Sequence, residues 1–278
     1  MTYNYRDAWL CCVFLLFFLS GKGQSPWVQK VNDGFIQAGY SGLYFDQVRY
    51  KGNLVDAGRK TIDNTYQLYL DFGLLPNLGV TAILPVKNYT ITENGETSRF
   101  DGLGNLSFSL KYQLPTKSSS MAVGLTYEAE TRAENLDLGL RTGFAASTFY
   151  PYFSIGSGTK KLYFYASGGL GLRTNKHSNF VRLSGELGYK IFKYSYLIGT
   201  LDFNRPIQND SNFFLTDDEV FSKSASFLDR QSFNGAGLKF LYEFVPEKYG
   251  VTISTIGALG SNNTPFSRSY NLGIFRKF

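Results

Sequence analysis

The sequence predicts an all-β fold: a transmembrane up-and-down antiparallel β-barrel of about 12 strands behind a cleaved leader. Three observations carry this. Apolar and polar residues alternate at period 2 over repeated stretches, short and long connections alternate between those stretches, and the composition is that of strands. The 278 residues include 25 Phe, 20 Tyr and 29 Gly but 2 Met, and 17% aromatic residues with 18% charge exclude a disordered chain.

At the start of the chain Arg6 precedes an apolar run over 8–19, and Ser20-Gly21-Lys22-Gly23 follows it. The run is shorter than the roughly 20 residues a spanning helix needs, so the layout predicts a secretory signal peptide over 1–23 and a barrel over 24–278. Cys11 and Cys12, the only cysteines, leave with that leader.

Strands are predicted at 34–45, 62–74, 78–89, 104–114, 121–131, 138–153, 162–173, 180–191, 195–206, 232–245, 250–261 and 269–278. In the fourth, Leu106, Phe108, Leu110, Tyr112 and Leu114 oppose Ser107, Ser109, Lys111 and Gln113; in the eighth, Val181, Leu183, Leu187 and Ile191 oppose Arg182, Ser184, Glu186 and Lys190. A strand of about 10 residues, rising roughly 3.3 Å per residue at a tilt near 40°, climbs about 25 Å, the height of a membrane barrel's apolar band. Connections at 75–77, 115–120, 156–161, 192–194 and 246–249 are short, whereas those at 46–61, 90–103, 132–137, 174–179, 207–231 and 262–268 are mostly longer and more polar. An even strand count with both termini at the short-turn end follows.

Alternation alone leaves the wet face open, and a soluble lipocalin-like barrel would turn its apolar face inward. Size favours the opposite arrangement. Twelve strands enclose an interior too wide for an apolar filling, and in lipid only a closed barrel satisfies every backbone polar group. Tyr44, Phe45, Tyr89, Tyr112, Tyr127, Tyr150, Tyr152, Tyr189, Tyr242 and Phe244 lie near strand ends and suit two interfacial girdles. Pro85 and Pro151 forfeit ladder bonds and mark bulges or the upper rim. The last strand alternates through Tyr270, Leu272 and Ile274 to Phe278. It resembles the terminal strand read by the outer-membrane barrel assembly machinery, except at Arg276, which can snorkel.

Two stretches carry a family resemblance. Tyr69-Leu70-Asp71-Phe72-Gly73-Leu74-Leu75-Pro76-Asn77-Leu78-Gly79-Val80 runs on to Leu84-Pro85-Val86, and Gly102-Leu103-Gly104-Asn105-Leu106 leads to Leu110-Lys111-Tyr112-Gln113-Leu114. They resemble a hairpin and a Gly-x-Gly-Asp-Leu loop of the outer-membrane family of the meta-pathway phenol degradation type, with Asn105 in place of Asp. The resemblance covers roughly residues 35–115. It implies a bacterial outer-membrane barrel grouped with transporters of small hydrophobic or aromatic compounds, and Asn105 removes one carboxylate from a conspicuous loop.

With polar faces inward, the lumen carries Lys87, Lys111, Arg141, Arg173, Arg182, Lys190 and Lys239 against Asp71, Glu128, Glu130, Glu186, Asp202 and Glu243. Nearly balanced charge predicts a braced, narrowed interior rather than a pore lined by one sign. The constriction candidates are Arg182, Glu186, Lys190, Lys239 and Glu243, with Lys111 and Glu128. In the longest connection, Thr216 and Glu219 form a capping box that predicts a helix over 217–225, and Phe213, Phe214, Phe221 and Phe227 predict a plug or lid at the mouth. Capping accounts for Asp217, Asp218 and Glu219 without a metal.

Enzymatic chemistry is excluded on residue supply. His177, the single histidine, sits in the polar loop 174–178 and is predicted to be solvated; no base beside a nucleophile and no zinc set can be assembled. No cofactor is expected. The formal net charge is +6, but Lys and Arg occur in no run longer than two, so a nucleic-acid partner is not expected either. The expected partners are outer-membrane lipid, the assembly machinery through Phe278, and an unidentified small molecule. The sequence thus predicts a passive outer-membrane channel with periplasmic termini, or alternatively a closed structural or adhesive barrel.

Overall fold

The computed structural model describes residues 25–117, 119–207, 223–225 and 227–278. The predicted leader and Phe213, Phe214 and Phe221 lie outside the described residues. In chain order the strands are β1 Gly34–Tyr50, β2 Asn53–Leu75, β3 Leu78–Glu93, β4 Glu96–Leu103, β5 Leu106–Leu114, β6 Ser120–Ala129, β7 Glu134–Asn135, β8 Leu140–Arg141, β9 Thr148–Gly158, β10 Leu162–Arg173, β11 Phe180–Phe192, β12 Ser195–Pro206, β13 Ser232–Val245, β14 Tyr249–Asn262, β15 Thr264–Pro265 and β16 Arg268–Lys277.

Twelve staves form the wall. β4 and β5 are two halves of one stave, joined beside β3, and the two-residue strands β7, β8 and β15 stand outside the count. All ladders are antiparallel between sequential staves, and β1 pairs with both β2 and β16, which closes the ring. The Gly34 amide donates to the Phe278 carbonyl at 2.7 Å and the Phe278 amide returns the bond at 2.9 Å, so both ends of the barrel chain meet on the short-turn side. Among the described residues there is no helix.

The alternation resolves which face is wet. On β5, Phe108, Leu110 and Tyr112 are exposed while Ser109 and Lys111 are buried, and on β16, Tyr270, Leu272 and Ile274 are exposed while Phe275 is buried. The wall therefore wears its apolar side outward, the inverse of a soluble barrel. Period 2 also corrects the girdle. Tyr44, Tyr112, Tyr127, Tyr189, Tyr242 and Phe244 face out, but Phe45, Tyr89, Tyr150 and Tyr152 are buried inside, because a residue beside an outward one must point inward.

Two predicted long loops are hairpins. β1 and β2 run on to the turn Lys51-Gly52 (φ 49° and 84°), and β3 and β4 to Asn94-Gly95 (φ 52° and 86°). Paired positive φ angles are those of a type I′ turn, which Asn-Gly favours. Above the lipid both faces are wet, so the alternation fades while pairing continues. A third correction concerns the strand predicted at 138–153, whose stave is Thr148–Gly158. Residues 130–147 leave the wall instead, with Leu140 and Ala146 buried in the mouth, so Arg141 belongs to the short strand β8 of that segment and not to a stave of the wall. The prolines stand at ladder breaks: Pro85 where β3 changes partner from β5 to β4, and Pro151 beside a gap between β9 and β10.

Candidate functional site

The bore is braced by ion pairs between staves. Lys87 on β3 bridges to Asp63 on β2 at 2.7 Å, Arg182 on β11 holds Asp202 on β12, and Lys239 on β13 reaches across β12 to Glu186 on β11, where the Tyr163 hydroxyl also donates at 3.2 Å. Lys277 holds Glu243 near the short-turn end. Lys111 is 1% exposed, with its ammonium 3.8 Å from the Asp71 carboxylate. Burying such a charge is costly unless it is compensated, so these pairs constrain the width of the bore.

The predicted constriction residues do not form one ring. Glu186 and Lys239 form an ion pair, and Arg182 and Glu128 face one cavity without pairing. Arg182 and Lys190 lie eight residues apart on β11, about 26 Å along a strand. Lys190 packs 5.6 Å from the Tyr196 ring centroid, Glu243 pairs with Lys277, and Glu128 accepts a bond from Asn105 Nδ2 at 3.1 Å. The Asn105 amide also donates to the Phe144 carbonyl at 3.0 Å, so the side chain standing in place of Asp ties a lid loop to the wall.

At the long-loop end, 130–147 folds across the mouth. Arg59 on β2 donates to the Leu138 carbonyl at 2.6 Å, Tyr89 on β3 to the Arg141 carbonyl at 3.3 Å, Thr142 to the Leu103 carbonyl, and Asn175, in the connection after β10 at the same end, to the Ala145 carbonyl at 2.8 Å. The end of the longest connection joins this lid. Phe227 meets Phe144 edge-on at 5.2 Å and Lys87 lies 5.3 Å from the Phe227 ring, while Asp229 accepts bonds from the Ser178 amide and hydroxyl at 2.8 and 2.7 Å. Residues 217–222 of the predicted helix lie outside the described residues, and 223–225 form a turn with Ala225 at φ 48°.

His177 corrects the sequence reading: it is 4% exposed, packed edge-on against Phe144 at 6.4 Å between the lid and Asp229. Burial pushes the imidazole below the usual histidine range; Asp229 opposes that shift, while Arg173 and Arg141 reinforce it. A lowered folded-state pKa means that the closed lid favours neutral His177, so this contribution is full above an ordinary pKa of about 6.5 and is lost as pH falls below it. Protection of the amides in 139–147, taken relative to their intrinsic exchange rates, is expected to fall as pH drops below about 6.5, and His177→Gln should remove that dependence.

Beneath the lid runs a column of rings. The Arg173 guanidinium lies 3.7 Å from the Phe144 centroid and 4.5 Å from that of Phe180, Phe180 stacks on Tyr150 at 6.1 Å, and Tyr150 stacks on Tyr152 at 5.8 Å. Tyr150, Phe180, Glu128, Arg182, Asn105 and Thr148 line a cavity of about 210 Å³. A second cavity of similar volume lies against the opposite wall, beside Tyr69, Gln37, Glu186 and Lys239.

The short-turn end is closed by a segment that the sequence reading passed over. Residues 25–33 precede β1 and run inside the ring. Val31 bridges in parallel to Gly73, Gln29 donates to Asp71 at 3.0 Å, and the Val28 amide donates to Gln113 at 3.1 Å. Trp27 then reaches the far wall, edge-on to Tyr163 and Tyr165 at 6.0 and 6.1 Å. The wall is shaped to receive it: a Cβ at Gly73 would lie 2.1 Å from the Lys30 carbonyl oxygen, and one at Gly156 would lie 2.9 Å from Pro26. Below Trp27 opens a polar vestibule of about 740 Å³.

The fold is similar to that of an outer-membrane channel from Pseudomonas putida F1, with a TM-score of 0.70 and 16% identity over 94% of this chain and 100% of that one. The β domain of the Bordetella autotransporter BrkA aligns at a TM-score of 0.51 and 11% identity, over 89% of this chain and 100% of that chain. The KdgM porin aligns at 0.50 and 8% identity, over 87% and 99%. At such identities the likeness is one of fold. No curated protein matches the chain. Residues 65–244 match the family described as "Putative MetA-pathway of phenol degradation", and the chain belongs to that family.

Proposed function

We propose that this chain, after removal of the leader 1–23, is a passive channel of the bacterial outer membrane. It admits small molecules, hydrophobic or aromatic ones among them, down their gradient, with both termini and the short turns in the periplasm. The observation that carries the reading is a charge-balanced bore that holds separate cavities between two chain segments instead of a packed core. The ring column from Phe144 to Tyr152 supports aromatic solutes, since flat rings stack at the same spacing. Phe278 at the end of β16 fits delivery by the barrel assembly machinery.

Proteoliposomes are expected to swell with small neutral solutes, and faster with a ring-bearing solute than with an aliphatic one of equal size. Because the chain's own segments cover both ends, a closed structural or partner-binding barrel is the second reading. Absence of both swelling and conductance from correctly folded protein would establish it. Within the channel reading, Lys239→Met leaves Glu186 without its ammonium partner, and cation over anion permeability should rise on the order of threefold. Glu186→Gln should move it the other way. Unchanged reversal potentials in both variants would remove the pair from the route.

A further inference from the structure

The distribution of charge over the two rims differs. At the short-turn end, Lys117, Lys160, Lys161, Lys193 and Lys248 are exposed in four of the five turns, and exposed Arg276 completes the circle near the chain end. Against these six stands one exposed acidic side chain of the turns, Glu247, so this rim is strongly cationic. The opposite rim mixes signs, with Lys51, Asp56, Lys60, Glu96, Arg99 and Asp101 all exposed. Lys277, by contrast, is drawn into the bore by Glu243.

The cations sit just beyond the lipid-facing apolar belt. Lys161 adjoins exposed Leu162, Lys193 adjoins Phe192, which is 71% exposed, and Lys248 adjoins Tyr249, while Arg276 lies 5.8 Å from the Tyr249 ring. A lysine in this position lays its methylene stem along the belt and carries its ammonium to the level of the lipid phosphates. The turns recur every two staves, roughly 10 Å apart, around nearly the whole circumference. A single globular partner would meet such a ring on one side only, whereas a lipid annulus meets all of it.

We infer that the short-turn rim is a binding collar for the anionic phospholipid headgroups of the leaflet that surrounds it. The inference rests on the orientation proposed above, which makes that leaflet the periplasmic one. The test uses full-length protein in bilayers of phosphatidylethanolamine with a minor fraction of spin-labelled phosphatidylglycerol, read as the motionally restricted fraction against a spin-labelled phosphatidylethanolamine control. Wild type is expected to favour the anionic lipid on the order of threefold, and high salt should erase much of this. The triple substitution Lys160→Glu, Lys161→Glu, Lys193→Glu should bring the ratio to about one, while Glu247→Gln leaves it intact or raises it. A wild-type ratio near one, or a preference that survives the triple substitution in a correctly folded barrel, overturns the inference. Orientation is read separately from Lys160→Cys on intact cells. Protection from an impermeant maleimide is expected; labelling would overturn the periplasmic assignment whatever the lipid ratio.

Discussion

Deleting residues 25–30 is expected to raise single-channel conductance by somewhat less than twofold, and Gly73→Val should reproduce much of the gain in the full-length chain. The physical basis is steric. The backbone of Lys30 and Gln29 passes so close to Gly73 that a Cβ there would lie 2.1 and 2.4 Å from their carbonyl oxygens. Both atoms are backbone, so no rotamer change relieves the overlap and the segment must lift. With it go the Gln29 to Asp71 bond and the seat of Trp27 between Tyr163 and Tyr165. The added side chain points inward, leaving the lipid face and the ladders of β2 intact, so heat-modifiable migration should stay that of wild type. Unaltered conductance in both variants would mean that current bypasses the segment.

The larger effect is expected only when the second occlusion is also removed. Replacing 134–141 with a short Gly-Ser linker withdraws β7 and β8, the carbonyl partners of Arg59 and Tyr89, and the support of Ser224, which donates to the Gly139 carbonyl at 2.8 Å. Two constrictions on one path add as resistances in series, so opening either alone leaves the other limiting. The lid variant by itself should therefore gain somewhat less than twofold, and the double variant on the order of tenfold. Planar-bilayer recording of the four proteins measures this directly. If the double variant merely multiplied two small gains, the constrictions would not share a path.

The wall was legible in the sequence because lipid enforces it. Every residue of β5 or β16 must declare a side, and the hydrocarbon permits one answer, so alternation predicted those staves to within a residue or two. Where lipid ends the signal fades, and Asp46 to Thr61 read as loop although Lys51-Gly52 closes a regular hairpin there. Asn94-Gly95 is a type I′ turn signal in the sequence, embedded in a polar stretch that hides the pairing on either side of it. The interior was the least legible part. Leu136, Leu138 and Leu140 alternate like a stave yet belong to the lid, and 25–33 has no period because it packs against a curved wall of mixed polarity. His177 looked solvated because its neighbours in sequence are polar; its neighbours in space come from two other loops.

The anchoring of 25–33 also bears on how the barrel is assembled. Gln29 finds Asp71 only 42 positions along the chain, and Val31 finds Gly73 on the same strand, whereas the seam between β1 and β16 joins residues such as Ser41 and Ser269, 228 apart. Contacts of short sequence separation form at lower entropic cost and tend to form earlier. A meander of β1, β2 and β3 can therefore already hold the segment against its concave side while the rest of the sheet is still open. The remaining staves then curl around an occupied centre, and Trp27 meets Tyr163 and Tyr165 when the sheet rolls up far enough to bring β10 opposite. On this sequence of events the obstruction is seated before the cylinder closes, and is not a stopper added to a finished tube.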